Sequence, residues 1–119
     1  MRQETRLQRE IRKYLMLHGL RSVACSNGAV LAGGPKQRAI QMNTLKSAGL
    51  TPGYPDLIVY GPDGRVGHIE VKLEGEALSE KQVEVHGWLT EWGHRVATCR
   101  SLEDVKETLK EWSWIDDEA

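Results

Sequence analysis

Within the stretch "YPDLIVYGPDGRVGHIEVK", Tyr54 to Lys72, three side chains interrupt what would otherwise be apolar strands: Asp56, Glu70 and Lys72. Side chains alternate along a strand, so Val66, His68, Glu70 and Lys72 share one face while Ile69, Val71 and Leu73 share the other. Glu70 and Lys72 then point the same way, roughly 6.6 Å apart along the backbone, close enough to attend to one bound group. Thirteen residues separate Asp56 from Glu70. Folding the two strands side by side brings both carboxylates to one end of a sheet. Two hard oxygen donors at that spacing suit Mg2+ or Mn2+, which take a few carboxylates and complete an octahedron with water and phosphate oxygens at about 2.0–2.1 Å. A lysine beside such an ion orients the attacking water or stabilises charge growing on a phosphate.

Each residue taken singly has a plainer explanation. Asp56 after Pro55 can cap a turn, and Glu70 with Lys72 can form a surface ion pair worth at most about 1 kcal/mol. Their joint occurrence, with a hairpin spacing and a helix start just downstream, reverses that preference.

The elements that must position these groups follow from the pattern on either side. Asp56 to Tyr60 reads as a strand, GPDG (61–64) as a tight turn, and 56–73 as a β-hairpin. In "LSEKQ", Ser79 and Gln82 stand at the spacing of a capping box, opening a helix whose expected buried stripe is Val85, Leu89 and Trp92 with Trp88 beside them. Upstream, Leu7, Ile11, Tyr14, Leu15 and Leu17 mark an amphipathic helix over 3–18 that Gly19 ends. "LRSVACS" reads as a strand and "NGAVLAGGPKQ" as an outlying loop. Arg38 to Ala48 reads as a helix with Ile40, Met42 and Leu45 as its apolar contacts. "HRVATC" is a further strand, "SLEDVKETLKEW" a helix capped by Ser101, and the tail from about residue 113 is expected to fray. The order is αβαββαβα, a mixed α/β domain.

A chain of 119 residues with 39% hydrophobic content suits one compact domain, 1–119. No run approaches the roughly 20 apolar residues that span a bilayer, and the N-terminus is too charged for a signal-peptide core, so a cytoplasmic protein with no membrane association is expected. Cys25 and Cys99 lie outside any C-x-x-C pair and are expected to be reduced core residues. His18, His68, His86 and His94 lack compact metal-ligand spacing, which argues against zinc. His68 shares the Glu70 face, where a satisfied strand histidine is the plainer reading. Charge is strongly divided: residues 1–55 hold nine Lys/Arg against two acids (net +7), and residues 56–119 hold seven against fifteen (net −8). A basic face of that kind is a candidate surface for a phosphate backbone, although solvation or contact between protomers would also account for it.

Pro55-Asp56 followed by Glu70-Val71-Lys72 resembles the PD-(D/E)XK nuclease signature. With "ETRLQREIRKYL", "SNGAV", "GYPDLIV", "HIEVK" and "LSEKQVEVHGWLTEWGHRVATCRSLEDV", the chain is similar, from about Glu4 to Trp112, to stand-alone VRR-NUC domains, the virus-type replication and repair nucleases found in many phages. The resemblance implies a restriction-endonuclease-like mixed sheet flanked by helices. It implies Asp56 and Glu70 as metal ligands joined by the backbone carbonyl of Val71, Lys72 at the water or transition state, and Gln82 facing the active site. A first-helix glutamate is also implied. Glu4 shares the face of Leu7 and Ile11 and turns inward, whereas Glu10 lies toward Arg6 and Lys13, on the solvated side. The expected activity is Mg2+- or Mn2+-dependent endonucleolytic cleavage of Holliday junctions, flaps or other branched DNA in replication, repair or recombination, in a phage or bacterial cell. Lys36, Arg38 and Lys46 would hold the DNA backbone, and a homodimer would supply two sites for two strands. The competing readings are a DNA-binding module without catalysis and a protein-interaction adaptor using the acidic half and its tryptophans, with Trp112 and Trp114 as an exposed pair.

Overall fold

The computed structural model describes residues 2–25 and 31–116; the "SNGAV" segment (26–30) and the last three residues of the expected frayed tail lie outside them. The elements run α1 (Gln3–Leu17), β1 (Arg21–Ala24), α2 (Pro35–Ser47), β2 (Leu57–Tyr60), a 3-10 turn (Pro62–Gly64), β3 (Val66–Val71), α3 (Glu80–Glu91), β4 (Arg95–Cys99) and α4 (Leu102–Glu111). The four strands form one sheet in the order β1-β2-β3-β4, antiparallel across the first two pairs and parallel between β3 and β4. This is the αβαββαβα order that the sequence predicts. A parallel neighbour requires a crossover, and α3 supplies it, leaving β3 at the sheet end where the acidic residues stand.

One sheet face carries the main core. Leu57 and Val59 of β2 and Ile69 and Val71 of β3 pack with Ile11 and Leu15 of α1 and Val105 and Leu109 of α4. All eight are at most 1% exposed, and each such side chain contributes about 1.5–3 kcal/mol over an exposed one. Cys99 joins this core, while Cys25 is only half-buried; both are free thiols. No helix among the described residues is long and apolar enough to cross a membrane.

Several expectations are corrected. α2 begins at Pro35, three residues early, because proline's fixed φ suits the first helical turn, where its missing N–H costs nothing. Lys36 therefore belongs to the helix and not to a loop. None of α2's residues is buried; Ile40 and Leu45 are exposed and Met42 half-buried, so the expected apolar contacts do not form a core face. Instead the Gln41 amide clamps Ala32, accepting from its N–H at 3.2 Å and donating to its carbonyl at 2.8 Å.

The tryptophans also exchange roles. Trp92 is 71% exposed and leaves the α3 stripe to Val85 and Leu89, with Trp88 half-buried against it. Trp112 is buried because its ring lies on Gly67, where an added Cβ would come within 2.5 Å of Cζ3. Trp114 packs edge-on against Trp112 at 4.9 Å and lies under the Arg65 guanidinium. The pair thus closes the core instead of offering an interface. The GPDG turn closes as a 3-10 turn with Asp63 in the left-handed region (φ 66), a conformation aspartate tolerates better than most residues.

Candidate active site

The β2/β3 register pairs Leu57 with Ile69 and Ile58 with His68. One step further, Asp56 stands opposite Glu70, and because opposed residues share a face, both carboxyls meet on the side away from the main core. β2 starts at Leu57, yet pairing continues through Asp56, whose carbonyl accepts the Cys25 N–H at 2.8 Å. Asp56 Oδ2 accepts the Val71 N–H at 2.7 Å, which ties its side chain to the end of β3. The two carboxyls are in hydrogen-bonding contact with each other.

The TPGYP segment (51–55) fixes the approach of Asp56. Gly53 has φ +87 and lies so close to the Lys81 and Gln82 backbone that a Cβ has no room, so the loop rests against the first turn of α3. α3 is itself anchored by a reciprocal capping box: Ser79 Oγ accepts the Gln82 N–H at 3.2 Å, and Gln82 Oε1 accepts the Ser79 N–H at 2.8 Å. The amide oxygen of Gln82 is therefore committed to the helix start, as its spacing predicts.

Electrostatics single out this cluster. Burial, followed by the contact with Glu70, pushes Asp56 up to about 7. Burial also raises Glu70, while Asp56 acts in the opposite direction, so the buried pair as a whole is held toward its protonated form. Glu4 is half-buried and raised, by burial first and then by the charges of Asp56 and Glu76. Lys72, two residues on from Glu70, lies within electrostatic reach of Glu4, Asp56, Glu70 and His86. The structure thus sets Asp56 opposite Glu70, with Glu4 and Lys72 within electrostatic reach, and leaves Glu10 exposed on α1. Lys36, Arg38 and Lys46 are exposed on α2. Lys36 and Arg38 are turned about 200° from each other around the helix axis and so face different sides.

Two histidines resolve differently. His68 is buried and satisfied: Nδ1 donates to the Arg95 carbonyl at 3.0 Å, and Nε2 accepts from the Tyr54 hydroxyl at 3.0 Å. His86, which the sequence reading set aside, is 3.0 Å from Glu70 Oε1 through Nε2. Burial lowers the His86 pKa, with Lys72 acting the same way and Asp56 against it, and Nε2 stands at donor distance from the Glu70 carboxyl. A signal was present, since His86 follows Gln82 by one helical turn on the same face; searching for histidine-to-histidine spacing missed a partner located on another strand.

Two carboxyls facing each other across β2 and β3 repel one another when both are ionised, and a proton or a cation relieves them. Among the described residues no group of three or more His, Cys, Asp or Glu side chains is placed to hold a metal ion. Two carboxylates are a donor set that suits a hard divalent cation, which keeps waters and phosphate oxygens as its other ligands.

The profile of the VRR-NUC domain family matches residues 2–103. This chain belongs to the VRR-NUC family. Two solved structures are similar to it in fold. One, described as a VRR-NUC domain, aligns at a TM-score of 0.66 with 21% identity, over 92% of this chain and 96% of the other. The second, a VRR-NUC domain protein, aligns at 0.62 with 19% identity, over 94% and 88%. No curated protein matches the chain in sequence. Membership gives this VRR-NUC chain a nuclease-type, DNA-processing role.

Proposed function

We propose that the protein is a metal-dependent endodeoxyribonuclease that hydrolyses phosphodiester bonds in branched DNA such as Holliday junctions or flaps. The observation that carries this reading is that the β2/β3 register sets Asp56 opposite Glu70, with Asp56 Oδ2 tied to the Val71 N–H and Lys72 next along the chain. Asp56 and Glu70, with the Val71 carbonyl, would hold Mg2+ or Mn2+. When bound, the ion supplies charge neutralisation at the phosphate and a water of lowered pKa.

The chain's own residues do the rest. The Val71 N–H holds Asp56 in place through Oδ2. The Lys72 ammonium orients the attacking water and stabilises charge that develops on the phosphate oxygens. Glu4 closes the cluster from α1, and the Gln82 amide group, fixed at the start of α3, faces the site. Lys36, Arg38 and Lys46 on α2 contact phosphates and carry no base reading. One chain presents one such site, so a symmetric homodimer would set two against the two strands of a junction.

The test is a cleavage panel of Holliday junction, flap, fork and linear duplex with Mg2+, Mn2+ or chelator, using Asp56→Ala and Lys72→Ala as controls. Cleavage of branched DNA by the wild type with either ion is expected. Either variant should lose about 100-fold or more in rate while retaining DNA affinity. Binding without cleavage of any DNA form would instead make the chain a binding module.

A further inference from the structure

Glu70 is 2% exposed, and a carboxylate buried to that degree must have its oxygens satisfied and its rotamer fixed. Asp56 engages one side of it, and His86 Nε2 meets Oε1 at 3.0 Å on the other. His86 is itself well anchored. Its side chain is 12% exposed, and its neighbours Val85 and Leu89 bury their side chains along α3. The capping box at Ser79 and the close approach of Gly53 fix the same helix at its first turn. The chain of contacts runs from α3 through His86 to Glu70, then to Asp56 and the Val71 N–H.

We infer that His86 is a positioning residue: by donating to Oε1 it holds the Glu70 carboxylate in the rotamer that turns its other oxygen toward Asp56, so that the pair is set to receive a divalent cation. This rests on the metal-dependent reading above. The ring nitrogen that carries the donated proton has no lone pair to offer a metal, so Nε2 orients the ligand and does not join it. An imidazole suits this place better than an ammonium or guanidinium. An arginine or lysine there would compete with the ion for the same oxygen.

The experiment measures Mn2+ uptake by the intact protein without DNA, from the electron paramagnetic resonance signal of free Mn2+, and separately the Mn2+ dependence of junction cleavage. His86→Ala is expected to weaken Mn2+ binding by about 10-fold or more, with cleavage at saturating Mn2+ within about 3-fold of wild type. His86→Gln, whose amide N–H can reach Oε1, should recover binding to within about 3-fold, whereas the shorter His86→Asn should stay as weak as alanine. Thermal melts show whether each variant folds, and the Gln and Asn pair decides the matter if the alanine protein does not. Unchanged Mn2+ binding in His86→Ala or His86→Asn overturns the inference. So does failure of glutamine to restore binding, or a cleavage defect that saturating Mn2+ leaves in place, since these point to ligation or direct chemistry. Wild-type protein that takes up no Mn2+ removes the metal-dependent reading and this inference with it; wild-type uptake that His86→Ala leaves intact removes the inference alone.

Discussion

Asp56 takes the Val71 N–H on Oδ2 and meets Glu70 on its other side, in a place where burial and that neighbour lift it from an ordinary 3.8 to about 7. Between those values the folded protein keeps a proton that the unfolded chain has released. Stability from this group is therefore full below about pH 4 and is lost as the pH rises through about 7. Glu70, also raised, acts in the same direction, whereas His68 and His86, both lowered, cost stability as the pH falls below their ordinary range. The difference between wild type and Asp56→Asn isolates the first contribution. In chelator, denaturant melts from pH 4 to 8 should show wild type losing on the order of a few kcal/mol relative to the asparagine protein, levelling off above pH 7. Mg2+ or Mn2+ should raise the wild-type melting temperature most at the alkaline end, and chelator should reverse the rise. A wild-type minus Asp56→Asn difference that is flat with pH would show that the pair is not held toward its protonated form. This pairing was legible because strand alternation and one turn suffice to oppose residues 56 and 70. His86 was not legible, since its partner is sixteen positions away on a different element.

Elements show the same division between local and tertiary information. The start of α3 was readable from Ser79 and Gln82 because a capping box is closed within four residues. Ser79→Ala removes the acceptor for the Gln82 N–H and should lower stability by about 1 kcal/mol, read as a shift in denaturant midpoint with unchanged slope. The two C-terminal tryptophans were not readable. Trp92 and Trp112 both follow the last turn of a helix, and only the second finds a glycine beneath it. Gly67→Ala would drive a Cβ into that ring and should cost about 1–3 kcal/mol. Combined with Trp112→Leu, which frees the space, the alanine should cost less than it does alone, a coupling that a double-mutant cycle in denaturant reads directly. Additive losses would mean that the ring is not held by Gly67. α2 was legible as a helix, but the contacts expected of Ile40, Met42 and Leu45 bury none of them, since helix-forming composition does not say whether anything lies opposite.

At the scale of the molecule, the basic half of the sequence becomes two exposed helical surfaces, α1 and α2, while the acids collect on β3, α3 and α4. On α1, Arg6, Arg9 and Lys13 recur at helical spacing and point away from the buried Ile11 and Leu15. On α2, Lys36, Arg38 and Lys46 extend from a helix that buries nothing, so their stems and charges are fully available to a phosphate backbone. Contacts of that kind release counterions, and each phosphate neutralised on duplex DNA contributes about 0.9 to the slope of log affinity against log salt. Arg38→Ala with Lys46→Ala, about 80° apart on one side of α2, should therefore reduce the slope by about 2 and weaken binding to junction, flap and duplex alike. Cleavage at saturating DNA should stay near wild type, because neither side chain belongs to the carboxyl cluster. A filter-binding series from low to moderate salt checks this. An unchanged slope would move the phosphate contacts from α2 to the α1 stripe, where Arg9→Ala with Lys13→Ala should then produce the same reduction.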